Sequence, residues 1–269
     1  MDLLSAALLG VIQGLTEFLP VSSSGHLILA RAVFGWDLGR FGIPFDAACH
    51  VGTLLAVVAY FRADLVRLAA AIPGALTMRD GEWERLGRLI LAGTIPIVIV
   101  GGLFEDVIES RLRTPLIVAV NLVVGGIGLI WVERVARQNR QASSLRLGEA
   151  FAVGAAQAAA LAPGLSRSGA TITISMFLGI RRDSSARFVF LMSLPAVAAV
   201  AAMEVMKLAA IGPAGVPITL LAVGLVSSAM VGYLTVKYFV RYLAGHSLAV
   251  FAYYRFALAG VTAAWLLSR

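Results

Sequence analysis

The sequence is poor in charged residues, in lysine and in cysteine. Only 14% of its 269 residues are charged, whereas a soluble domain is usually about 25% charged. Cys49 stands alone, which excludes a disulfide or a thiolate metal site within one chain. The two lysines, Lys207 and Lys237, do not follow a glycine, so the GxxxxGKS/T phosphate loop is absent. These absences exclude a soluble globule, a disulfide scaffold and a P-loop kinase.

What the sequence has in abundance is apolar residues. They make up 59% of the chain, and the mean hydropathy is +0.89. This composition predicts an all-α polytopic membrane protein in a single integral membrane domain, residues 1–269. The net charge of +7 is attributed to loops that face anionic lipid, so no nucleic-acid partner is expected. Six stretches are predicted to cross the bilayer as transmembrane helices, near 44–61, 86–104, 114–133, 188–206, 216–237 and 249–267.

Two further apolar regions are interrupted before they are long enough to span. In residues 3–30 the break comes at Glu17 and Pro20, and in residues 150–180 it comes at Pro163-Gly164. Each break carries a serine-rich loop. The pattern predicts two re-entrant helical hairpins, and backbone that is not helical at membrane depth has to be buried in protein or line a wet cavity.

The two broken regions also match each other. At an offset of 144, Gly10 aligns with Gly154, and the same holds for Gln13 and Gln157, Ser22 and Ser166, Ser24 and Ser168, and Gly25 and Gly169. The chain is therefore predicted to hold internal repeats, approximately 1–134 and 145–269, each with one hairpin and three spans. Three spans invert the second copy, which gives an inverted-topology repeat with its site near the midplane.

The distribution of basic residues predicts the orientation. If both termini lie outside, 14 of the 22 Lys and Arg residues fall in cytoplasmic segments and 6 on the opposite side. Cytoplasmic loops carry the excess of positive charge. The protein is therefore predicted to be a multi-pass membrane protein with both termini outside.

The first hairpin carries a candidate site. Gln13 and Glu17 are four residues apart and share one helix face. A carboxylate inside an apolar segment is costly and indicates function. Ser22, Ser23 and Ser24 follow and precede a new helix, whose N-terminal N–H groups favour anions.

The second hairpin repeats this pattern with Ser166 and Ser168, and it adds Arg167 at membrane depth. A guanidinium fits phosphate oxygens, and it also fits a structural ion pair with Glu17. His26, which follows the first serine loop, is a candidate base, acid or nucleophile. Together these groups indicate diphosphate chemistry.

The motifs resemble the undecaprenyl-diphosphate phosphatase family, also called the bacitracin-resistance family. Its (E/Q)xxxE and PVSSSGH motifs match residues 13–26, and its PGxSRSxxT motif matches residues 163–171. The resemblance covers essentially the whole chain. Residues 45–54, which include Asp46 and His50, are also similar, and whether these two side chains reach the cavity is left open.

The resemblance implies hydrolysis of undecaprenyl diphosphate to undecaprenyl phosphate and phosphate, which recycles the lipid carrier for cell-wall synthesis. It implies six spans and two hairpins in an interlocked inverted repeat, located in the bacterial cytoplasmic (inner) membrane. It also implies a divalent cation, Mg²⁺ or Ca²⁺, with Glu17 as its ligand. Four residues match the family's functional positions and are predicted to be catalytic: Glu17, Ser23, His26 and Arg167.

The remaining motif residues are predicted to bind substrate: Gln13, Ser22, Ser24, Gly25, Gly164, Ser166, Ser168, Gly169 and Thr171. Gln13 stands where many members have an acid, so it receives no catalytic role. Arg255, in the last predicted span, is expected to snorkel or to pair with an acid rather than touch substrate.

Several alternatives stay open. The same cavity could serve a transporter or flippase of a lipid-linked phosphate, since inverted repeats with broken helices are typical of transporters. Ser24-Gly25-His26 also resembles a motif of phosphatidic-acid phosphatases, but the Arg-Pro pair of that family is absent. The sequence does not separate a serine nucleophile from direct attack by water, and it leaves a homodimer open.

Overall fold

The computed structural model describes residues 2–36, 41–211 and 217–268, and within them it shows helices and loops without a β-strand. Residue 216, the predicted start of a span, lies outside the described residues. The α-helices are α1 (Asp2–Thr16), α2 (Ser23–Phe34), α3 (Ile43–Tyr60), α4 (Arg62–Leu76), α5 (Glu82–Val107), α6 (Pro115–Val135), α7 (Leu147–Ala159), α8 (Arg167–Phe177), α9 (Arg182–Ile211), α10 (Ile218–Leu243) and α11 (Ala249–Leu267). A π-helical turn, Ile108–Leu112, follows α5, and a short 3₁₀ turn, Ala142–Ser144, precedes α7.

Five of the described helices are long and apolar enough to cross a membrane: Glu82–Phe104, Pro115–Val135, Arg182–Met203, Ile218–Leu243 and Ala249–Leu267. Large apolar side chains remain exposed along them, such as Leu91, Ile95 and Leu103 on α5. A soluble protein rarely exposes so much apolar surface. The prediction of an all-α, multi-pass membrane protein is therefore confirmed. The predicted span near 44–61 is α3, which is among the shorter apolar helices.

Small residues bring the interrupted helices close to long ones. Helix α1 packs on α10, where a Cβ added to Gly10 would lie 2.7 Å from the carbonyl oxygen of Gly224. Helix α7 packs on α5, where a Cβ added to Gly154 would overlap the carbonyl oxygen of Gly93. Glycines at such crossings let two backbones approach within van der Waals contact. Each short helix is thereby fixed against a long one.

Ion pairs join the ends of several helices at one end of the bundle. Arg182 at the start of α9 binds Glu133 near the end of α6, and Arg187 Nη2 lies 2.6 Å from Asp64 Oδ1 on α4. Arg140 donates two hydrogen bonds of 2.9 Å to Glu149 at the start of α7. These hydrogen bonds hold the pKa of Glu149 at about 2. The helix ends that carry these charges therefore lie together.

We expect Gly154→Ala to destabilise the bundle, because its methyl group has no space beside the backbone of Gly93. Overpacking of this kind costs about 1–3 kcal/mol. Gly148→Ala, in the same helix, is the matched control, since nothing lies within 4 Å of its added Cβ. The melting temperature in detergent is the measurement. Equal melting temperatures for the two variants would show that the α5–α7 contact is loose.

Candidate active site

The first serine loop turns sharply between α1 and α2. Glu17 follows the last residue of α1, and its N–H still donates to the carbonyl of Gln13 at 2.9 Å. Ser22 caps α2 with a positive φ of 73°, and its Oγ accepts a hydrogen bond from the N–H of Gly25. A residue other than glycine in this region stores strain, typically about 1–3 kcal/mol, and such residues concentrate at functional sites.

The second serine loop has the same local geometry. Ser166 caps α8 with a φ of 70°, and its Oγ accepts a hydrogen bond from the N–H of Gly169. Arg167 is the first residue of α8. Ser22 and Ser166, which align at the offset of 144, thus cap their helices in the same way. The residue after each cap, Ser23 or Arg167, is the first residue of its helix.

Hydrogen bonds across the two loops hold them against each other. Ser22 Oγ accepts from the N–H of Gly164 at 3.0 Å, and Ser168 Oγ donates to the carbonyl of Leu19 at 3.0 Å. Both bonds join residues about half the chain apart. The two serine loops therefore form one structural unit.

A buried arginine anchors this unit from the last helix. Arg255 has no exposed surface. Its guanidinium donates to five backbone carbonyls at 2.8–3.2 Å, those of Pro20, Asn121, Leu122, Gly164 and Leu165. The expectation that Arg255 snorkels or pairs with an acid is wrong. The irregular backbone of both loops leaves carbonyls that need donors inside apolar surroundings, and Arg255 supplies them.

Glu17 is the centre of the side-chain cluster. Its Oε2 accepts hydrogen bonds from Ser23 Oγ at 2.6 Å and from Gln13 Nε2 at 3.0 Å. Its Oε1 binds the guanidinium of Arg167. His50 Nε2 lies 4.0 Å from Oε2, which answers the question left open for this histidine. One carboxylate therefore contacts a hydroxyl, an amide, a guanidinium and an imidazole from four helices, α1, α2, α3 and α8.

The cluster faces a cavity of about 360 Å³. Its polar part is formed by Glu17, Ser23, Ser24, His50, Arg113, Ser166 and Arg167. Its apolar walls come from α5 and α9, for example Val98, Val200 and Met203. A cavity with a charged end and apolar walls suits an amphiphilic ligand that has an anionic head. Asp46 is not among the residues that line this cavity, and its carboxylate binds Arg31.

The other predicted site residues lie around this cavity with different contacts. The N–H groups of Gly25, Gly164 and Gly169 donate to serine hydroxyls within the loops. Ser168 and Thr171 line a smaller cavity of about 20 Å³, which Glu17 and Arg167 also line. Gln157 also lines it, and neither atom of its amide has a hydrogen-bond partner among the described residues.

His26 is not among the residues that line either cavity. Its Nδ1 donates to the carbonyl of Ser22 at 2.7 Å, and its Nε2 lies 2.7 Å from the hydroxyl of Tyr254, whose ring stacks on it. Both ring nitrogens are therefore engaged by the loop and by α11. The catalytic role predicted for His26 remains a prediction, and this geometry favours a positioning role.

The family model described as "Bacitracin resistance protein BacA" matches residues 6–261. The chain belongs to this family. A protein named undecaprenyl-diphosphatase from Rubrobacter xylanophilus is 48% identical over 99% of both chains. Proteins of the same name from Pelobacter propionicus and Geobacter sulfurreducens are each 42% identical, over 98% and 100% of their own lengths and all of this chain. The family resemblance of the two serine motifs is thereby confirmed.

Three residues beside the site have no role in the prediction made from the two motifs. Arg113, Tyr254 and Gln157 received no role in the site, and each lies beside it. Gln157 had one signal, its alignment with Gln13 at the offset of 144. Arg113 and Tyr254 are remote in sequence from both motifs, so only the tertiary structure reveals them.

We expect Arg255→Met to lower the melting temperature strongly and to abolish activity with it. Methionine has a similar length but no donor, and each buried carbonyl left without a partner costs about 1–3 kcal/mol. The matched control is Arg241→Met at the end of α10, where the arginine is exposed. Melting curves in detergent measure the effect. A variant at position 255 with the stability of the control would contradict the anchoring role.

Proposed function

We propose that this protein hydrolyses undecaprenyl diphosphate to undecaprenyl phosphate and inorganic phosphate. The observation that carries the proposal is the contact of 2.6 Å in which Ser23 Oγ donates to Glu17 Oε2, while Arg167 binds the other carboxylate oxygen. A hydroxyl on a carboxylate beside a guanidinium is an activated nucleophile beside a phosphate-binding cation. The relatives that share the name undecaprenyl-diphosphatase over the full length of the chain support the substrate.

The cavity suits the two parts of this substrate. The diphosphate would lie at the polar end, where Arg167 and the N-terminus of α8 provide positive charge. The first isoprene units of the lipid would lie along the apolar walls from α5 and α9. Ser24 and Ser166 line the polar part and offer hydroxyl groups to phosphate oxygens. The scissile bond then lies within reach of Ser23.

The chemistry follows from the Glu17 contacts. Glu17 accepts the proton of Ser23 as its Oγ bonds to the terminal phosphorus, and the bond from that phosphorus to the bridging oxygen breaks. Undecaprenyl phosphate leaves with the bridging oxygen, and water then releases phosphate from the serine. In the other route, Glu17 and Ser23 orient a water that attacks directly. In both routes Arg167 stabilises the charge on the transferring group.

The residues of the site fit a divalent cation, Mg²⁺ or Ca²⁺, that would be bound largely by the substrate. No group of three or more His, Cys, Asp or Glu side chains that could hold a metal occurs in the described part of the chain. Glu17 supplies a carboxylate, and the buried Oε1 of Gln13 beside it has no hydrogen-bond partner among the described residues. Mg²⁺ is often bound by one or two carboxylates together with substrate phosphates. When bound, the cation neutralises charge on the phosphoryl oxygens.

The proposed topology has six transmembrane helices, two re-entrant hairpins and an inverted-topology repeat. Helix α3 would be the sixth span, next to the five that satisfy length and composition. The identical caps at Ser22 and Ser166 support a repeat, and the packing of α1 on α10 and of α7 on α5 supports interlocked halves. Arg140, which binds Glu149 at the start of α7, and Arg182 at the start of α9 support one shared basic side. We propose that this side is cytoplasmic, with both termini outside the inner membrane.

A flippase would need the same cation and cavity but not the Ser23–Glu17 contact. The experiment that separates the two is phosphate release from undecaprenyl diphosphate by purified protein in detergent, with and without EDTA. We expect the purified protein to release phosphate. EDTA should stop this release, and added Mg²⁺ or Ca²⁺ should restore it. Binding of the lipid without release of phosphate would refute the phosphatase and favour transport.

We expect Ser23→Ala to lose activity by at least about a hundredfold, because removing a nucleophile or the group that orients one has effects of this size or larger. Ser24→Ala is the matched control: Ser24 lines the same cavity but has no hydrogen bond to Glu17, so a reduction of a few fold is expected. Initial rates of phosphate release and melting curves measure both variants. Near-normal turnover of Ser23→Ala would exclude the serine nucleophile.

A further inference from the structure

The active-site cavity contains a second arginine that the mechanism above does not use. Arg113 follows the π-helical turn Ile108–Leu112 and lines the same cavity as Glu17 and Arg167. Its side chain is one-third exposed. Neither serine motif contains it. Its position beside the predicted diphosphate site raises the question of what its charge does there.

A buried carboxylate holds Arg113 at this position. Arg113 Nη2 lies 3.8 Å from Asp46 Oδ2 on α3. Asp46 is buried, and Arg31 already binds both of its oxygens, with a distance of 2.9 Å from Nη1 to Oδ2. Among the described residues, this carboxylate therefore faces two guanidinium groups. The Arg31–Asp46–Arg113 group keeps a net charge of +1, and of its two cations Arg113 is the one that reaches the cavity.

The formal charges of the side chains that line the cavity indicate what Arg113 does there. Arg167 is paired with Glu17, so these two side chains sum to zero. Among the described charged residues that line the cavity, the positive excess is therefore that of Arg113. A diphosphate carries more negative charge than the monophosphate product. A single guanidinium that is paired with a carboxylate would distinguish a diphosphate from a monophosphate poorly. Two separated guanidinium groups match the two phosphate groups of a diphosphate.

We propose that Arg113 is a second phosphate-binding residue, which together with Arg167 selects a diphosphate over a monophosphate. This inference rests on the proposed function. Asp46 acts as the positioning residue that keeps the guanidinium of Arg113 beside the cavity, while Arg31 satisfies the rest of its charge. Arg113 binds substrate and takes no part in proton transfer.

The test compares Arg113→Gln with Arg111→Gln. Both substitutions remove one positive charge within the same segment, but Arg111 is exposed and does not line the cavity. For Arg113→Gln we expect KM for undecaprenyl diphosphate to rise about tenfold or more, with kcat within about threefold of the wild type, because a charge-assisted phosphate contact is lost. Arg111→Gln should keep the wild-type KM. Arg113→Lys keeps the charge but not the planar guanidinium, so its KM should lie between those of Arg111→Gln and Arg113→Gln.

A binding measurement separates this inference from the proposed function. Inorganic pyrophosphate, added without lipid, should raise the melting temperature of the wild type and of Arg111→Gln, and raise it much less for Arg113→Gln. This result supports the role of Arg113 even if the wild type were to release no phosphate. Equal shifts in all three proteins, no shift in the wild type, or an unchanged KM in Arg113→Gln would each overturn the proposal.

Discussion

The ion pair between Glu17 and Arg167 joins the two halves of the site, and most of the surrounding geometry follows from it. Neither charge would be stable alone among apolar helices. Glu17 closes the first interrupted helix and Arg167 opens α8, so their contact requires the two serine loops to meet. The same carboxylate then orients Ser23, which lies within hydrogen-bond distance of its other oxygen. The ion pair that stabilises both charges among apolar helices therefore also brings Glu17, Ser23 and Arg167 together.

The loops that carry this pair need support, because irregular backbone among apolar helices has polar groups that no helix satisfies. Arg255 supplies donors to carbonyls of both loops and of α6, and Ser22 and Ser168 link one loop to the other. Glycines such as Gly154 let the short helices pack on long ones. The strained conformations of Ser22 and Ser166 persist because these contacts surround them.

The sequence predicted the parts of the site that follow local rules. Gln13 and Glu17 share a helix face, and the serine loops cap helices, because both depend on residues a few positions apart. It also located the apolar helices, since composition over about 20 residues suffices for that. It missed the carbonyl contacts of Arg255 and the positions of Arg113 and Tyr254. These depend on where distant helices cross, and an arginine in an apolar helix looks the same whether it binds an acid or a carbonyl.

The functional coupling of Glu17 and Arg167 is the claim on which the rest depends. A double-mutant cycle measures it most directly: kcat/KM for phosphate release by Glu17→Gln, Arg167→Gln and the double variant, on protein that melts cooperatively. If the pair acts as one unit, the double variant should lose little more activity than the worse single variant. Losses that multiply would show that the two side chains act independently, and would contradict a single site built from both loops.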